Sequence, residues 1–422
     1  MSASVGFPSP QRHRGPRPPA AVAFFCLAPL VCGIFAPRAF GQAATATAAD
    51  PAASRQPPRR SAPVAVSQHE IATAIDRGRS FLVTVQNDDG SFGSAERTKG
   101  LNIMAGVGSH FGFRAATTAL CVQALIEEDD ASPSTARAIE RGEAWLLENL
   151  PDVRRDDPVM IYNVWAHAYG IQALVAMHER LPGDAARRGR IVELIRGQFD
   201  KLVRYESAQG GWGYYDFTVG SQRPASSSTS FVNAAVLVAL HDAKAIGIEP
   251  PPKIVTRAVQ ATQEQRLPDS SYLYGSYLRW QPRRGINRPG GSLGRSQACN
   301  LALRLWGDPE ITDAVLEEWL DRFVVRNGWL DLGRKRPIPH ESFFQVAGYF
   351  FYFGHYYAAR VLEAIPAADR PLFQDNLARL LLDIQDADGS WWDYPLYDYH
   401  QQYGTAYAMM ALHRCRRGAP PP

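Results

Sequence analysis

The strongest constraint on the fold is an alternation between two kinds of helical segment from residue 67 onward. Apolar residues recur at helical spacing in twelve segments, which Gly, Pro and Asp-Gly pairs separate. The first member of each pair carries charges on one face, whereas the second is apolar or small on nearly every side. The predicted pairs are 68–85 with 115–128, 135–149 with 160–180, 186–205 with 229–246, 252–265 with 296–306, 311–325 with 343–365, and 371–384 with 399–416.

A helix that is apolar on every side must be buried, and a helix with one charged face lies at the surface. Six helices of each kind, alternating along the chain, fit a closed ring with the buried set inside and the amphipathic set outside. Closure also removes the exposed ends that an open solenoid must cap. We therefore predict an all-α fold, a single α/α toroid of six helical hairpins over residues 67–417. An open array of the same hairpins is the alternative.

The N-terminal region has a different composition. Arg12, Arg14 and Arg17 precede an apolar run over 20–36, and small residues follow at 39–41. This pattern predicts a signal peptide over residues 1–41 and hence an exported protein, with an uncleaved membrane anchor as the alternative. Residues 42–66 and 418–422 are predicted to be a disordered linker and tail.

The charge of the chain argues against nucleic-acid binding, and its cysteines argue against a disulfide framework. The 422 residues contain 45 Lys and Arg against 42 Asp and Glu, and no basic block is long enough to suggest nucleic-acid binding. Cys121, Cys299 and Cys415 each lie in an apolar helical pattern, so buried free thiols are predicted, although one disulfide is permitted. We expect a monomer.

A turn motif recurs between hairpins. Gln86 is followed by Gly90 and Phe92, Gln385 by Gly389 and Trp391 at the same spacing, and 209–213 is a shortened version. The motif resembles the glutamine–tryptophan repeat of squalene and oxidosqualene cyclases and of the related protein prenyltransferase β-subunits. The resemblance extends over 67–416 in layout and implies an α/α toroid whose glutamines and aromatic rings join neighbouring hairpins.

The tryptophans of these turns have two interpretations. Trp212, Trp391 and Trp392 either stack on a ligand or serve as structural clamps, and we favour the clamps because each ring buries a large apolar area.

The hallmark chemistry of the cyclases is missing from the sequence. They protonate an alkene with a D-x-D-D motif, and the nearest string here, 386–389, lies inside a turn. Squalene cyclisation is therefore not expected.

The transferase chemistry is incomplete as well. Residues 290–295 resemble a transferase segment in which Arg295 matches a diphosphate-binding arginine, but Leu301 and Leu303 stand where that family has the Asp and Cys zinc ligands. Residues 397–400 resemble its His-bearing segment one hairpin too late. We predict no zinc, no other metal and no cofactor.

Polar residues on the buried segments are the candidate site. Burying each of them unpaired would cost a few kcal/mol, so residues at matching levels of different inner helices predict a common central cavity. For any single histidine, a hydrogen-bonded core position is the alternative. The predicted cavity residues are Asn163, His167, Asn233, Arg295, His355, Tyr356 and Tyr407.

Four residues near the start of the last segment are the catalytic candidates: His400, Tyr403, Asp393 and Asp398. A carboxylate or a His/Tyr couple can act as general acid or base. For Asp398 we prefer a second role, capping of the last helix, because it directly precedes that segment.

Three functions follow as hypotheses. The first is an exported toroid that binds an isoprenoid or other apolar ligand, with or without transforming it. The second, by analogy of fold alone, is a glycoside hydrolase or polysaccharide lyase. The third is a non-catalytic binding scaffold.

Overall fold

The computed structural model describes residues 65–130, 132–156, 159–216, 224, 227–341 and 343–418. The predicted signal peptide, almost all of the linker and residues 419–422 lie outside these ranges. None of the helices in the described part has a stretch long and apolar enough to cross a membrane. The described residues contain helices and loops, with three isolated β-bridges and no strand.

The inner helices are buried along most of their length. In α6, every residue from Ser230 to Leu240 is buried, whereas outer helix α5 buries only six of its 21 residues. The six inner helices are α2 (Val107–Glu127), α4 (Asn163–Arg180), α6 (Ser230–Ala245), α8 (Leu293–Leu305), α11 (Phe350–Ala364) and α13 (His400–Arg414).

The outer helices carry the charged faces that the sequence predicts. Ser67 begins α1 with a capping box, in which its hydroxyl accepts from the Glu70 N–H and the Glu70 carboxylate accepts from the Ser67 N–H. The outer helices are α1 (Gln68–Val85), α3 (Pro133–Asn149), α5 (Ala185–Tyr205), α7 (Pro252–Gln263), α9 (Asp313–Val325) and α12 (Arg370–Leu382). A further single turn, α10, spans Gly328–Asp331.

The ring closes. Each inner helix packs against the next, and α13 packs against α2, so the last inner helix meets the first. Each later outer helix packs against the inner helix that precedes it, and α1 packs against α13. The predicted α/α toroid of six hairpins is therefore confirmed, and the open array is excluded.

Three recurring turns each bind a hairpin to the next outer helix. Gln385 donates from Nε2 to the carbonyls of Gly389 and Ala74, both at 2.9 Å, and accepts from Arg77 Nη1 at 3.0 Å. Gly389 has φ +90°, and a Cβ there would lie 2.6 Å from the Arg77 carbonyl oxygen. Only glycine adopts this backbone without strain and leaves room for that contact.

The same frame occurs at Gln86, which donates to Gly90 and Ala138. In the third turn the equivalent residue is Glu206, four residues before Gly210, and it accepts from Arg257 Nε at 2.6 Å. Gln209, which the shortened motif put in this role, is therefore not the clamping residue.

Two of the three tryptophans in the turns are structural, as we favoured, whereas the role of the half-buried Trp392 stays a prediction. Trp391 and Trp212 are fully buried and donate from Nε1 to the carbonyls of Leu381 and Leu202, in the last turns of α12 and α5. Each indole therefore satisfies a carbonyl at a helix end that has no partner within its own helix. The three described cysteines are also as predicted, buried and free.

Candidate functional site

A cavity of about 340 Å³ opens at the end of the ring where the inner helices begin. Its wall comes from the first turns of α4, α6, α11 and α13 and from the middle of α2. Loops around Ile103, Tyr214, His340 and Leu396 supply the rim.

Aromatic side chains dominate the wall of this cavity. Of the 21 residues that line it, eight are Tyr, four Phe and one Trp, and none is Asp, Glu, Lys or Arg. Such a wall favours a ligand that is apolar over most of its surface. The aromatic lining residues are Phe113, Tyr162, Trp165, Tyr169, Tyr214, Tyr215, Phe231, Tyr349, Phe350, Phe353, Tyr394, Tyr403 and Tyr407.

Polar atoms on the wall are mostly phenol hydroxyls that bond one another. Tyr162 contacts Tyr215 through their hydroxyls, and Tyr214 contacts Tyr274 in the same way. Burial is the largest cause that raises the pKa of Tyr162 and Tyr214, so these groups are neutral phenols. The cavity therefore offers hydrogen bonds without charge.

The Asp393 carboxyl group adjoins the wall through Tyr403. Its Oδ1 accepts from the Tyr403 hydroxyl at 2.7 Å, and its Oδ2 accepts from the backbone N–H of Tyr352 at 3.1 Å. Tyr352 is the third residue of α11, so Asp393 caps that helix from a distant segment. Burial nevertheless raises the pKa of Asp393 to about 7, against the opposing hydrogen bonds from Tyr403 and Tyr352.

This pair can exchange a proton with a polar group near neutral pH, but it is a poor source of protons for an alkene. An acid that protonates a carbon–carbon double bond must be strong, and a raised pKa makes Asp393 weaker. Tyr403 lines the cavity, whereas Asp393 stands behind it and is not part of the lining. Two of the four predicted catalytic residues are thus adjacent.

His400 lies outside the cavity lining. Its Nδ1 donates to the Tyr397 carbonyl at 2.5 Å, and its ring meets Trp392 edge-on at 5.2 Å. Burial lowers its pKa to about 4, so the ring is neutral, and its buried Nε2 has no hydrogen-bond partner. A role in catalysis stays a prediction.

Asp398 does not cap the last helix, although we preferred that role for it. Its Oδ2 accepts from the Ser94 hydroxyl at 3.2 Å, and α13 begins without a side-chain cap. The preference for capping was therefore wrong: the carboxylate turns toward the loop that precedes α2 instead of the free N–H groups of α13.

Two of the predicted cavity residues pair with each other inside the helical wall. His167 donates from Nδ1 to Gln198 Oε1 at 2.8 Å and accepts at Nε2 from Asn163 Nδ2 at 3.1 Å. Burial lowers the pKa of His167 to about 3. His167 is therefore a neutral histidine bonded within the core, and neither residue lines the cavity.

Asn233 and His355 have similar structural partners. Asn233 Oδ1 accepts from the backbone N–H of Trp212 at 2.6 Å, next to the third turn. His355 donates to the Phe351 carbonyl at 2.8 Å and accepts from Asn327 Nδ2 at 3.1 Å, and burial lowers its pKa to about 4. Both residues lie away from the cavity lining.

Arg295 and Tyr356 are placed beside and beneath the cavity. Arg295 is almost fully buried and donates to the carbonyls of Tyr272, Gly291 and Ile286, with its guanidinium 5.7 Å from the Tyr274 ring. Tyr356 lies deeper in the ring, where its hydroxyl accepts from Arg360 at 3.3 Å. Of the seven predicted cavity residues, Tyr407 alone lines the described cavity. The side chains of the other six make hydrogen bonds within the protein fold, although Asn163 Oδ1 is buried without a partner.

The residues that sequence reasoning missed come mainly from loops. Tyr214, Tyr215, Pro339 and His340 have no helical periodicity that would point them inward, and Phe113 precedes the predicted start of its helix. Within the described residues, no three His, Cys, Asp or Glu side chains come together in a way that could hold a metal ion.

Comparisons with known proteins support the fold alone. No protein-family model and no curated protein sequence matches this chain. The structure is similar to an inactive variant of the α-1,6-mannanase GH76A of Salegentibacter sp. HEL1_6, with a TM-score of 0.51 and 11% identity over 82% of this chain and 99% of that one. The unaltered mannanase also gives 0.51, at 10% identity over 82% and 98%.

A weaker similarity links the chain to the type II terpene cyclase MstE from Scytonema, with a TM-score of 0.47 and 13% identity over 82% of this chain and 98% of that chain. At these identities, an α/α toroid is what the chain shares with the mannanases.

Proposed function

We propose that this protein binds a neutral, apolar ligand of isoprenoid type in the aromatic cavity. The observation that carries the proposal is the wall itself, in which thirteen of 21 lining residues are Tyr, Phe or Trp and none is acidic or basic. Charged ligands would lose their hydration there without gaining a counter-charge from the lining.

The volume bounds the size of the ligand. About 340 Å³ lies at the small end of the range for ligand pockets, about 300–1,000 Å³. We therefore place the ligand among the short terpenes rather than among squalene-sized chains.

Acid-initiated cyclisation is not part of the proposal. The Asp393 carboxyl group lies behind Tyr403, and its pKa of about 7 makes it too weak an acid for an alkene. The proposed activity is therefore binding, with Tyr403 and Asp393 available to move a proton at a polar group of the ligand. The proposal includes export, predicted from residues 1–41, so that the protein binds its ligand outside the cytoplasm.

Glycan hydrolysis is the competing function, and it fits this cavity less well. Glycosidases use two carboxyl groups, about 5–9.5 Å apart, on either side of the scissile bond. The lining of this cavity includes no carboxylate, and Asp393 is a single one behind a tyrosine. A second acid would have to come from elsewhere in the chain.

The test is direct extraction. Full-length protein is purified, extracted with organic solvent, and the extract is analysed by mass spectrometry beside that of an Ala116→Trp variant, whose new indole fills the cavity. A terpenoid recovered from the wild-type protein and absent from the variant supports the proposal. If titrations show binding of mannotetraose but none of geraniol or farnesol, the proposal is wrong and the glycan alternative replaces it.

A further inference from the structure

Three phenol hydroxyls form a chain that ends on a histidine at the cavity rim. Tyr214 contacts Tyr274, Tyr274 lies 3.3 Å from Tyr349, and Tyr349 lies 3.1 Å from His340 Nε2, measured between the hydrogen-bonding atoms. Tyr214, Tyr349 and His340 line the cavity. The imidazole is held at its other nitrogen, since Nδ1 lies 2.6 Å from the Gln345 carbonyl oxygen.

The direction of every hydrogen in this chain follows from that last contact. A carbonyl oxygen can only accept, so His340 Nδ1 carries the hydrogen. The ring is neutral because burial lowers its pKa, which leaves Nε2 as an acceptor. Tyr349 must therefore donate to His340.

Each phenol has one hydrogen to donate, so the remaining links are fixed in turn. Tyr349 has used its hydrogen on His340, and Tyr274 must donate to Tyr349. Tyr214 must then donate to Tyr274. At the far end, the Tyr214 oxygen keeps an acceptor position, and its hydrogen is already committed within the protein.

A ligand group that meets this end of the chain must therefore bring its own hydrogen. An ether, ester or ketone oxygen next to Tyr214 would face the hydroxyl oxygen of Tyr214, and both atoms are acceptors, because the Tyr214 hydrogen points toward Tyr274. A hydroxyl group can donate to Tyr214 without disturbing the chain. Tyr169, which also lines the cavity, has a buried hydroxyl with no hydrogen-bond partner, so it can accept or donate and does not discriminate.

An ammonium group could also donate, but the local charge opposes it. The Arg295 guanidinium lies 5.7 Å from the Tyr274 ring and donates only to backbone carbonyls, with no carboxylate among its hydrogen-bond partners. Its positive charge next to the chain repels a cationic ligand. A neutral donor fits better than a charged one.

Together, the geometry points to an apolar alcohol as the ligand class, with the hydroxyl group of the ligand donating to Tyr214. The preference for a donor comes from the direction of the hydrogen bonds in the Tyr214–Tyr274–Tyr349–His340 chain. This inference rests on the proposed function, namely that the aromatic cavity binds an apolar ligand. It names the one polar group that such a ligand carries.

The first experiment uses the wild-type full-length protein and three matched probes: geraniol, its methyl ether and the corresponding hydrocarbon. Isothermal titration measures the dissociation constant of each. Geraniol is expected to bind more tightly than the ether by roughly three- to tenfold, the range of one neutral hydrogen bond. Equal binding of all three overturns the alcohol preference and leaves the proposed function intact, whereas no binding of any probe overturns both.

A conservative variant tests whether the chain is the cause. Tyr349→Phe removes the link to His340, so Tyr274 is free to donate to Tyr214, and the Tyr214 hydroxyl can then donate to the ligand. The preference for geraniol over the ether should fall to about one, mainly through tighter binding of the ether. The control is Tyr277→Phe, a more exposed tyrosine outside the lining, which should keep the wild-type ratio. An unchanged ratio in Tyr349→Phe contradicts the inference.

Discussion

Arg414, near the end of the last inner helix, bonds Glu127 at the end of the first. Its Nη1 donates to Glu127 Oε2 at 2.7 Å, and its Nε donates to Glu363 Oε1 of α11 at the same distance. Arg360 of α11 extends the network to Asp242 of α6 at 2.9 Å. Four of the six inner helices are thereby joined at the end of the ring opposite the cavity mouth.

This network should matter for stability because its members are buried. Arg414→Met would leave the Glu127 carboxylate, only 6% exposed, without its ion-pair partner and should lower the free energy of unfolding by about 3–5 kcal/mol. Urea denaturation measures the change. Arg196→Met, which breaks an exposed pair with Glu193, is the control and should cost less than about 1 kcal/mol. Similar small losses in both variants would show that the network does not hold the ring closed.

Asp393 predicts a specific dependence of stability on pH. Its folded pKa is raised to about 7, so the folded state holds this proton more tightly than the unfolded chain does. That contribution to stability is complete below the unfolded pKa of about 4 and is lost as pH rises through about 7. Between pH 4 and pH 8, ionisation of Asp393 should lower the free energy of unfolding of the wild-type protein by an amount on the order of a few kcal/mol. Asp393→Asn has the same shape and stays neutral, so it should not show this decrease.

The measurement is urea unfolding at several pH values in that window, with Asp398→Asn as a matched loop control. The wild-type protein and the control should lose stability in parallel, and Asp393→Asn should give a flatter curve. If all three curves run parallel, Asp393 does not carry the buried proton that the structure assigns to it.

The clamping turns predict that some glycines are essential and others are not. Gly389→Ala forces an alanine to φ +90° and places its Cβ 2.6 Å from the Arg77 carbonyl oxygen. The expected loss is about 2 kcal/mol or more, because the left-handed backbone alone costs about 1–2 kcal/mol. Gly189→Ala is the control within α5, where a Cβ meets no atom within 4 Å, and it should stabilise the protein by about 0.5–1 kcal/mol. Thermal unfolding distinguishes the two, and equal melting temperatures would refute the clamp.

The ring itself could be predicted from sequence because its cause is local. Whether a segment is apolar all round or on one face depends on its own residues, and six of the predicted helix starts fall within one residue of those observed. The two largest errors in the predicted starts share a reason. Asp156, from another loop, accepts from the Gly108 N–H and the Ser109 hydroxyl, which lets α2 begin at Val107 instead of 115.

The second wrong start is that of α11, where Asp393 accepts from the Tyr352 N–H and the helix begins at Phe350 rather than 343. Caps supplied by distant residues leave no mark on the local sequence. The cavity wall was predictable only in part, since Tyr403 and Tyr407 are the predicted site residues that line it. The phenol chain was not, because the loops decide which hydroxyls meet.

The most direct test of the central claim is to fill the cavity and measure binding. Ala116 lines it on α2, and Ala116→Trp would place an indole in the space proposed for the ligand. Ala186→Trp, on the exposed face of α5, is the matched control. Titration with geraniol should show binding to the wild-type protein and to Ala186→Trp, and at least tenfold weaker binding to a folded Ala116→Trp. Undiminished binding to Ala116→Trp would place the ligand elsewhere and contradict the account.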